Sequence, residues 1–94
     1  MRTSSSQKVR KPLKKSIYSE KHQKLCRLLV DARKKAGLTQ QELAVRIGKP
    51  QSFVAKVEGG ERRLDVIELM EIADIVDLEP KTILKTLTGQ AKNF

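Results

Sequence analysis

Gln51, Ser52 and Lys56 share one face of a short segment whose opposite face carries Val54 and Val57. A glutamine amide donates and accepts at once, which matches the N6 and N7 groups of adenine. A lysine ammonium suits the acceptors of guanine or a phosphate, and a serine hydroxyl can meet either a base or a phosphate. Arg62 and Arg63 follow just after Gly59-Gly60 and add two cations suited to phosphate. This is the chemistry of recognising a polyanion. The sequence offers no nucleophile–base pair and no glycine loop that cradles phosphate, so no enzyme is expected. His22 and Cys26 stand four residues apart, a spacing that suits a metal, but no further ligands accompany them. Cys26 is expected to be a packed or half-exposed small residue, with no metal and no cofactor.

Five elements must position these residues. Leu25, Leu28, Leu29 and Ala32 recur at helical spacing, and Lys34, Lys35 and Gly37 mark a helix end, predicting a first helix from about Ser19 to Ala36. Thr39 and Glu42 fit a capping box that opens the second helix, with Leu43, Ala44 and Ile47 inward and Leu38 placed to staple onto Leu43. Gly48 ends it. The third helix begins near Pro50, a residue tolerated at a first helical position, and stops at Gly59-Gly60. Asp65 and Glu68 form a second cap signature for a fourth helix, about Val66 to Val76. Its Val66, Leu69, Met70, Ile72, Ala73 and Val76 suit a core, while Ile67 and Ile75 exceed one apolar stripe. Pro80 opens a fifth helix carrying Ile83, Leu84 and Leu87, and Gly89 ends it. Two short helices joined by a glycine turn are a helix-turn-helix, whose second helix enters the major groove. Phe53, on that second helix, either packs against the neighbouring helix or touches a thymine methyl group or the sugar backbone.

With 94 residues the chain is expected to be one small domain, its core aliphatic because only one Tyr and two Phe are present. A single cysteine is most simply read as belonging to a reduced, cytoplasmic chain, and no apolar run approaches the ~20 residues of a membrane span. The formal net charge is +9, but it is unevenly placed. Residues 1–24 carry eight Lys/Arg against one acid, and residues 25–94 carry twelve against ten. Charge alone therefore leaves DNA, RNA and an anionic membrane open, and the motif has to choose. Residues 1–18 read as a disordered basic arm, either a solubilising tail or a segment that tracks phosphates. Residues 19–88 read as the folded domain and 89–94 as a flexible tail.

The pattern resembles the Cro/C1-type helix-turn-helix family, also called the Xre family of bacterial and phage repressors. The residues that carry the resemblance are Leu38-Thr39-Gln40, Leu43-Ala44, Gly48, Gln51-Ser52, Val57-Glu58 and the basic loop Gly60 to Arg63. The resemblance covers roughly residues 25–87. Two positions depart from the family pattern: Lys49 where an apolar residue is frequent, and Pro50 where Ser or Thr is usual.

The resemblance implies an all-α, five-helix, lambda-repressor-like DNA-binding domain that acts as a sequence-specific transcriptional regulator of double-stranded DNA. It implies base contacts from Gln51, Ser52 and Lys56, and phosphate contacts from Gln40, Arg62, Arg63 and Lys49, with Arg46 a further candidate. A carboxylate at a helix C-terminus opposes the helix dipole, and the family points to Arg33 as the cation that meets Glu58 in a structural salt bridge. The expected state is a homodimer on a palindrome, with Ile75, Ile83 and Leu87 as candidates for the covered surface. Two alternatives stay open, the antitoxin of a toxin–antitoxin pair and a coactivator-like protein-interaction module. Non-specific coating of nucleic acid is a third.

Overall fold

The computed structural model describes residues 19–89. The segments read above as arm and tail lie outside the described residues, save Gly89. Five helices follow one another: α1 Glu20–Lys35, α2 Gln40–Ile47, α3 Gln51–Glu58, α4 Val66–Ile75 and α5 Pro80–Thr88. No strand occurs among the described residues.

Local chemistry accounts for the boundaries. Ser19 caps α1 by accepting from the His22 amide, and Arg33, Lys34 and Lys35 crowd the last turn, where the dipole favours cations. Thr39 and Glu42 close a complete capping box at α2, with each side chain accepting from the other's amide at 3.0 and 2.9 Å. Asp65 and Glu68 repeat it at α4. Gly48 ends α2 in the left-handed conformation at φ 71°. Pro50 is the cap of α3 rather than its first residue, and it offers no side-chain acceptor. At α5, by contrast, Pro80 occupies the first turn.

The core is aliphatic. Leu29 of α1, Leu43 and Ala44 of α2, Val54 and Val57 of α3, and Ile72 and Val76 at the end of α4 form one buried cluster. Leu38, Phe53, Leu69 and Ile75 pack against it from partly buried positions. α2 packs on α3 and α4, and α1 packs on α3 and α5. Two expectations about burial are overturned. Val66 and Met70, assigned to the core, are 71% and 45% exposed. Ile83, offered as a surface for a partner, is only 3% exposed, because α5 lies along α1. A helix apolar on several faces does not announce which face its neighbours take.

Gly48 supplies the turn between α2 and α3, and nothing lies within 4 Å of where a Cβ would stand. The cost of Gly48→Ala is therefore backbone strain alone. It should destabilise by about 1 kcal/mol, with Gly48→Asn milder, lowering Tm by roughly 4–8 °C. An unchanged melting curve would show that this left-handed residue does not constrain the turn.

Candidate nucleic-acid interface

The site is built outward from a buried ion pair. Arg33 of α1 meets Glu58 of α3 in a bidentate contact, Nε to Oε2 at 2.6 Å and the second guanidinium nitrogen to Oε1 at 3.0 Å. Both side chains are nearly excluded from solvent, at 10% and 7% exposure. The remaining guanidinium nitrogen donates to the Leu38 carbonyl at 2.8 Å, pinning the α1–α2 turn. Hydrogen bonding to Glu58 holds the Arg33 guanidinium above its ordinary pKa.

Glu58 also accepts from Gln40 Nε2 at 2.9 Å, and Gln40 Oε1 accepts from Gln51 Nε2 at 2.7 Å. The direction of this relay is forced. A carboxylate can only accept, so Gln40 must turn its amine inward and its carbonyl outward. Gln51 must then present its amine to Gln40. Its carbonyl oxygen and second N–H remain available, which is the pair that adenine N6 and N7 require. Gln51, Ser52 and Lys56 are all exposed. The first turn of α2 and the first turn of α3 are thus cross-linked by one glutamine pair, with Gln40 partly buried between the ion pair and the surface.

A second cluster lies beside α3. The Phe53 ring is partly buried against the core, so its packing is as much structural as it is surface chemistry. Arg62 covers the ring at 4.6 Å from its centroid, and Lys49 lies over it at 5.2 Å. Arg62 also grips Glu68 with two nitrogens at 3.1 and 3.2 Å and donates to the Arg63 carbonyl. Lys49 reaches Glu68 at 4.0 Å. Glu68 accepts from the Asp65 amide as well, and that bond, followed by Arg62 and then Lys49, lowers its pKa. Sequence reasoning read Glu68 only as a cap. The capping spacing was the sole signal for it, and no spacing rule links it to Arg62 or Lys49. Lys49, which departs from the family pattern, is thereby accounted for as part of this cluster.

His22 and Cys26 hold α1 to the end of α3. His22 Nε2 lies 3.3 Å from the Gly60 carbonyl, which must accept, so Nε2 is the protonated nitrogen. The Cys26 thiol donates to the Val57 carbonyl at 3.4 Å, and burial pushes its pKa up. Both act as internal fasteners. Among the described residues no group of three or more His, Cys, Asp or Glu side chains is placed to hold a metal. The geometry places Gln51, Ser52 and Lys56 together at the surface, with Gln40 behind them and Lys49 and Arg62 to one side.

Comparison with known proteins gives the family and the fold. A helix-turn-helix family model matches residues 29–83. Among solved structures the chain is similar to an XRE-family like protein from Pseudomonas syringae pv. tomato, at 44% identity and a TM-score of 0.73. The likeness covers 86% of this chain and 99% of that one. No curated protein matches the chain.

Two predictions test the electrostatics. Arg33→Ala or Glu58→Ala strands the other charge in a nearly dry site and should cost about 3–5 kcal/mol in urea denaturation. Arg33→Met combined with Glu58→Leu should cost less than either single change, and equal losses would deny the stranding argument. Glu68→Gln keeps an acceptor for the Asp65 amide but removes the charge. Because the folded pKa of Glu68 lies below its ordinary 4.5, its charge stabilises the fold above that pH, and the benefit is lost as pH falls through the lowered value. The Tm gap between wild type and variant should thus be steady near neutrality and close below about pH 4.5. A gap that persists at pH 2 would contradict the sign.

Proposed function

The chain belongs to the helix-turn-helix family of the Cro/C1, or XRE, type, whose fold binds double-stranded DNA in transcriptional regulation, and on that premise we propose a repressor that binds a palindromic operator as a homodimer through α3. The observation that carries the reading is the tethering of Gln51. Its exposed amide is oriented from within, through Gln40 and Glu58, so its donor and acceptor are set before DNA arrives. Preorganisation of this kind lowers the ordering cost of a base contact.

Gln51 reads adenine in this proposal, and Ser52 and Lys56 contact bases or the adjoining backbone. The first turn of α2, with Gln40, receives a phosphate at its positive end. Lys49, Arg62 and Arg63 neutralise phosphates alongside. Arg62 and Lys49 must share their charge between Glu68 and DNA, which suits positioning contacts rather than base reading. A single domain gains little specificity from one half-site, and two recognition helices about 34 Å apart supply the rest. The exposed side chains of Val66, Ile67, Met70 and Leu84 favour a protein partner on α4 and α5. In this proposal the partner is a second copy, and a toxin on the same face is the alternative. No described helix is long and apolar enough to cross a membrane, and the proposal places the protein in the cytoplasm on chromosomal DNA.

Footprinting on the chain's own upstream region, at fixed salt, tests the reading. Gln51→Ala should weaken operator binding by about 1–3 kcal/mol and relax preference at one base pair in each half-site. Lys49→Ala should weaken all sequences alike and flatten the salt slope by about one unit. A coactivator-like module predicts instead that Gln51→Ala and Lys56→Ala leave activity intact while changes at Ile67 or Leu84 abolish it.

A further inference from the structure

We propose that the acid-rimmed cleft at the α4–α5 turn docks the chain's own basic N-terminal segment, residues 8–17, and so withholds its charge from DNA.

Two clefts flank the turn Asp77–Glu79. One, of about 230 Å³, lies over Met70, Ala73 and Leu78. The other, of about 550 Å³, lies between α1 and the turn, over Leu28, Ala32 and Val76. Asp31, Asp74, Asp77 and Glu79 rim them, against Lys35. None of these four acids forms a salt bridge among the described residues. No residue of α2, α3 or the α3–α4 loop lines either cleft. The molecule therefore carries a negative, partly apolar concavity built apart from its reading face, in a chain whose overall charge is +9.

The occupant is set by complementarity and reach. Residues 1–18 hold six Lys/Arg and no acid. Val9, Leu13 and Ile17 recur every fourth residue, with Lys8 ahead of them and Arg10, Lys11, Lys14 and Lys15 between them. The segment thus offers apolar side chains to the floor and cations to the rim. It leads into Ser19, the cap of α1, and Asp31 stands twelve residues further on, about 18 Å along the helix axis. Ten extended residues span up to about 35 Å, so the segment can return along α1 to the cleft. Covalent attachment gives it an effective concentration in the range of mM, so even a weak contact is populated. Docked there, the segment cannot release counterions from DNA, and the acids of the cleft compete with phosphate for its charge.

The test is a four-way cycle in the full chain. One variant replaces Lys8, Arg10, Lys11, Lys14 and Lys15 with Gln, a second carries Asp31→Asn, Asp77→Asn and Glu79→Gln, and a third carries both sets. Amide NMR shifts of residues 74–82 should differ between wild type and the first variant, and added salt should move wild type toward it. The same residues should not respond to the Gln replacements once the cleft is neutral. On a random duplex at low salt, neutralising the cleft should raise affinity about three- to tenfold more with the native segment than with the Gln-substituted one. Absence of segment-dependent shifts overturns the proposal, as does a difference between wild type and the first variant that grows with protein concentration, which would place the segment of a second copy in the cleft. Equal affinity gains in both backgrounds overturn the coupling to DNA. The DNA measurement rests on the function proposed above, whereas the shifts do not, so a chain that binds no duplex still leaves the docking decided.

Discussion

Glu58 stands at the C-terminal end of α3, where the helix dipole already places partial negative charge. It is also nearly buried, so two penalties act on the same carboxylate. Arg33 offsets both by gripping it with two nitrogens, and Arg33 can do so only if α1 crosses α3 at one place and the Leu38 carbonyl takes the remaining donor. One ion pair therefore fixes the α1–α3 crossing, the turn between α1 and α2, and the carbonyl direction of Gln40. Replacing the pair by well-packed apolar residues could leave stability intact, but Gln40 would then lose the acceptor that orients it. The pair specifies an arrangement more than it contributes net stability.

Charge in this molecule is organised by place. The folded part is close to balanced, with twelve Lys/Arg against ten acids in residues 25–94. Lys56 of α3, with Lys49 and Arg62 beside it, lines one hollow that also holds Glu61, while Asp31, Asp74, Asp77 and Glu79 gather around the α4–α5 turn with Lys35. In the proposed function, such a separation would turn the α3 side toward DNA before contact. A headline charge of +9 would have suggested uniform affinity for any polyanion. The distribution instead puts seven of the nine excess charges in residues 1–24 and leaves the rest of the chain close to balanced.

What was legible in the sequence follows the range of the interaction. Helix ends depend on neighbours three or four residues away. Thr39 with Glu42, Asp65 with Glu68, and the glycine at position 48 therefore announced α2 and α4 closely. Burial on α4 and α5 depends on which helix lies across the way, and there the reading failed for Val66, Met70 and Ile83. The glutamine pair is a third case. Gln40 and Gln51 each stand out in the sequence on their own, yet their bond spans eleven positions and exists only because Glu58 turns Gln40 around. Arg62 is similar: its basic character was plain, but its contacts with Phe53 and Glu68 arise from the path of the α3–α4 loop.

The two clusters at α3 differ in a way that bears on specificity. The Gln40–Gln51 relay ends in a buried carboxylate that cannot reorient without stranding Arg33, so it is stiff. The Lys49–Phe53–Arg62 cluster ends in Glu68, whose partners Lys49 and Arg62 are long, flexible and about two-fifths exposed. Exposed ion pairs of this kind exchange partners at little cost, so phosphate can replace Glu68 without disturbing the fold. Stiffness behind Gln51 favours discrimination between bases, because a misplaced base leaves its fixed donor and acceptor unmet. Looseness at Lys49 and Arg62 favours attachment to any backbone, whatever its sequence. In the proposed function, base reading thus falls to Gln51, which the fold tethers, and backbone attachment to Lys49 and Arg62, whose ion pairs are partly exposed.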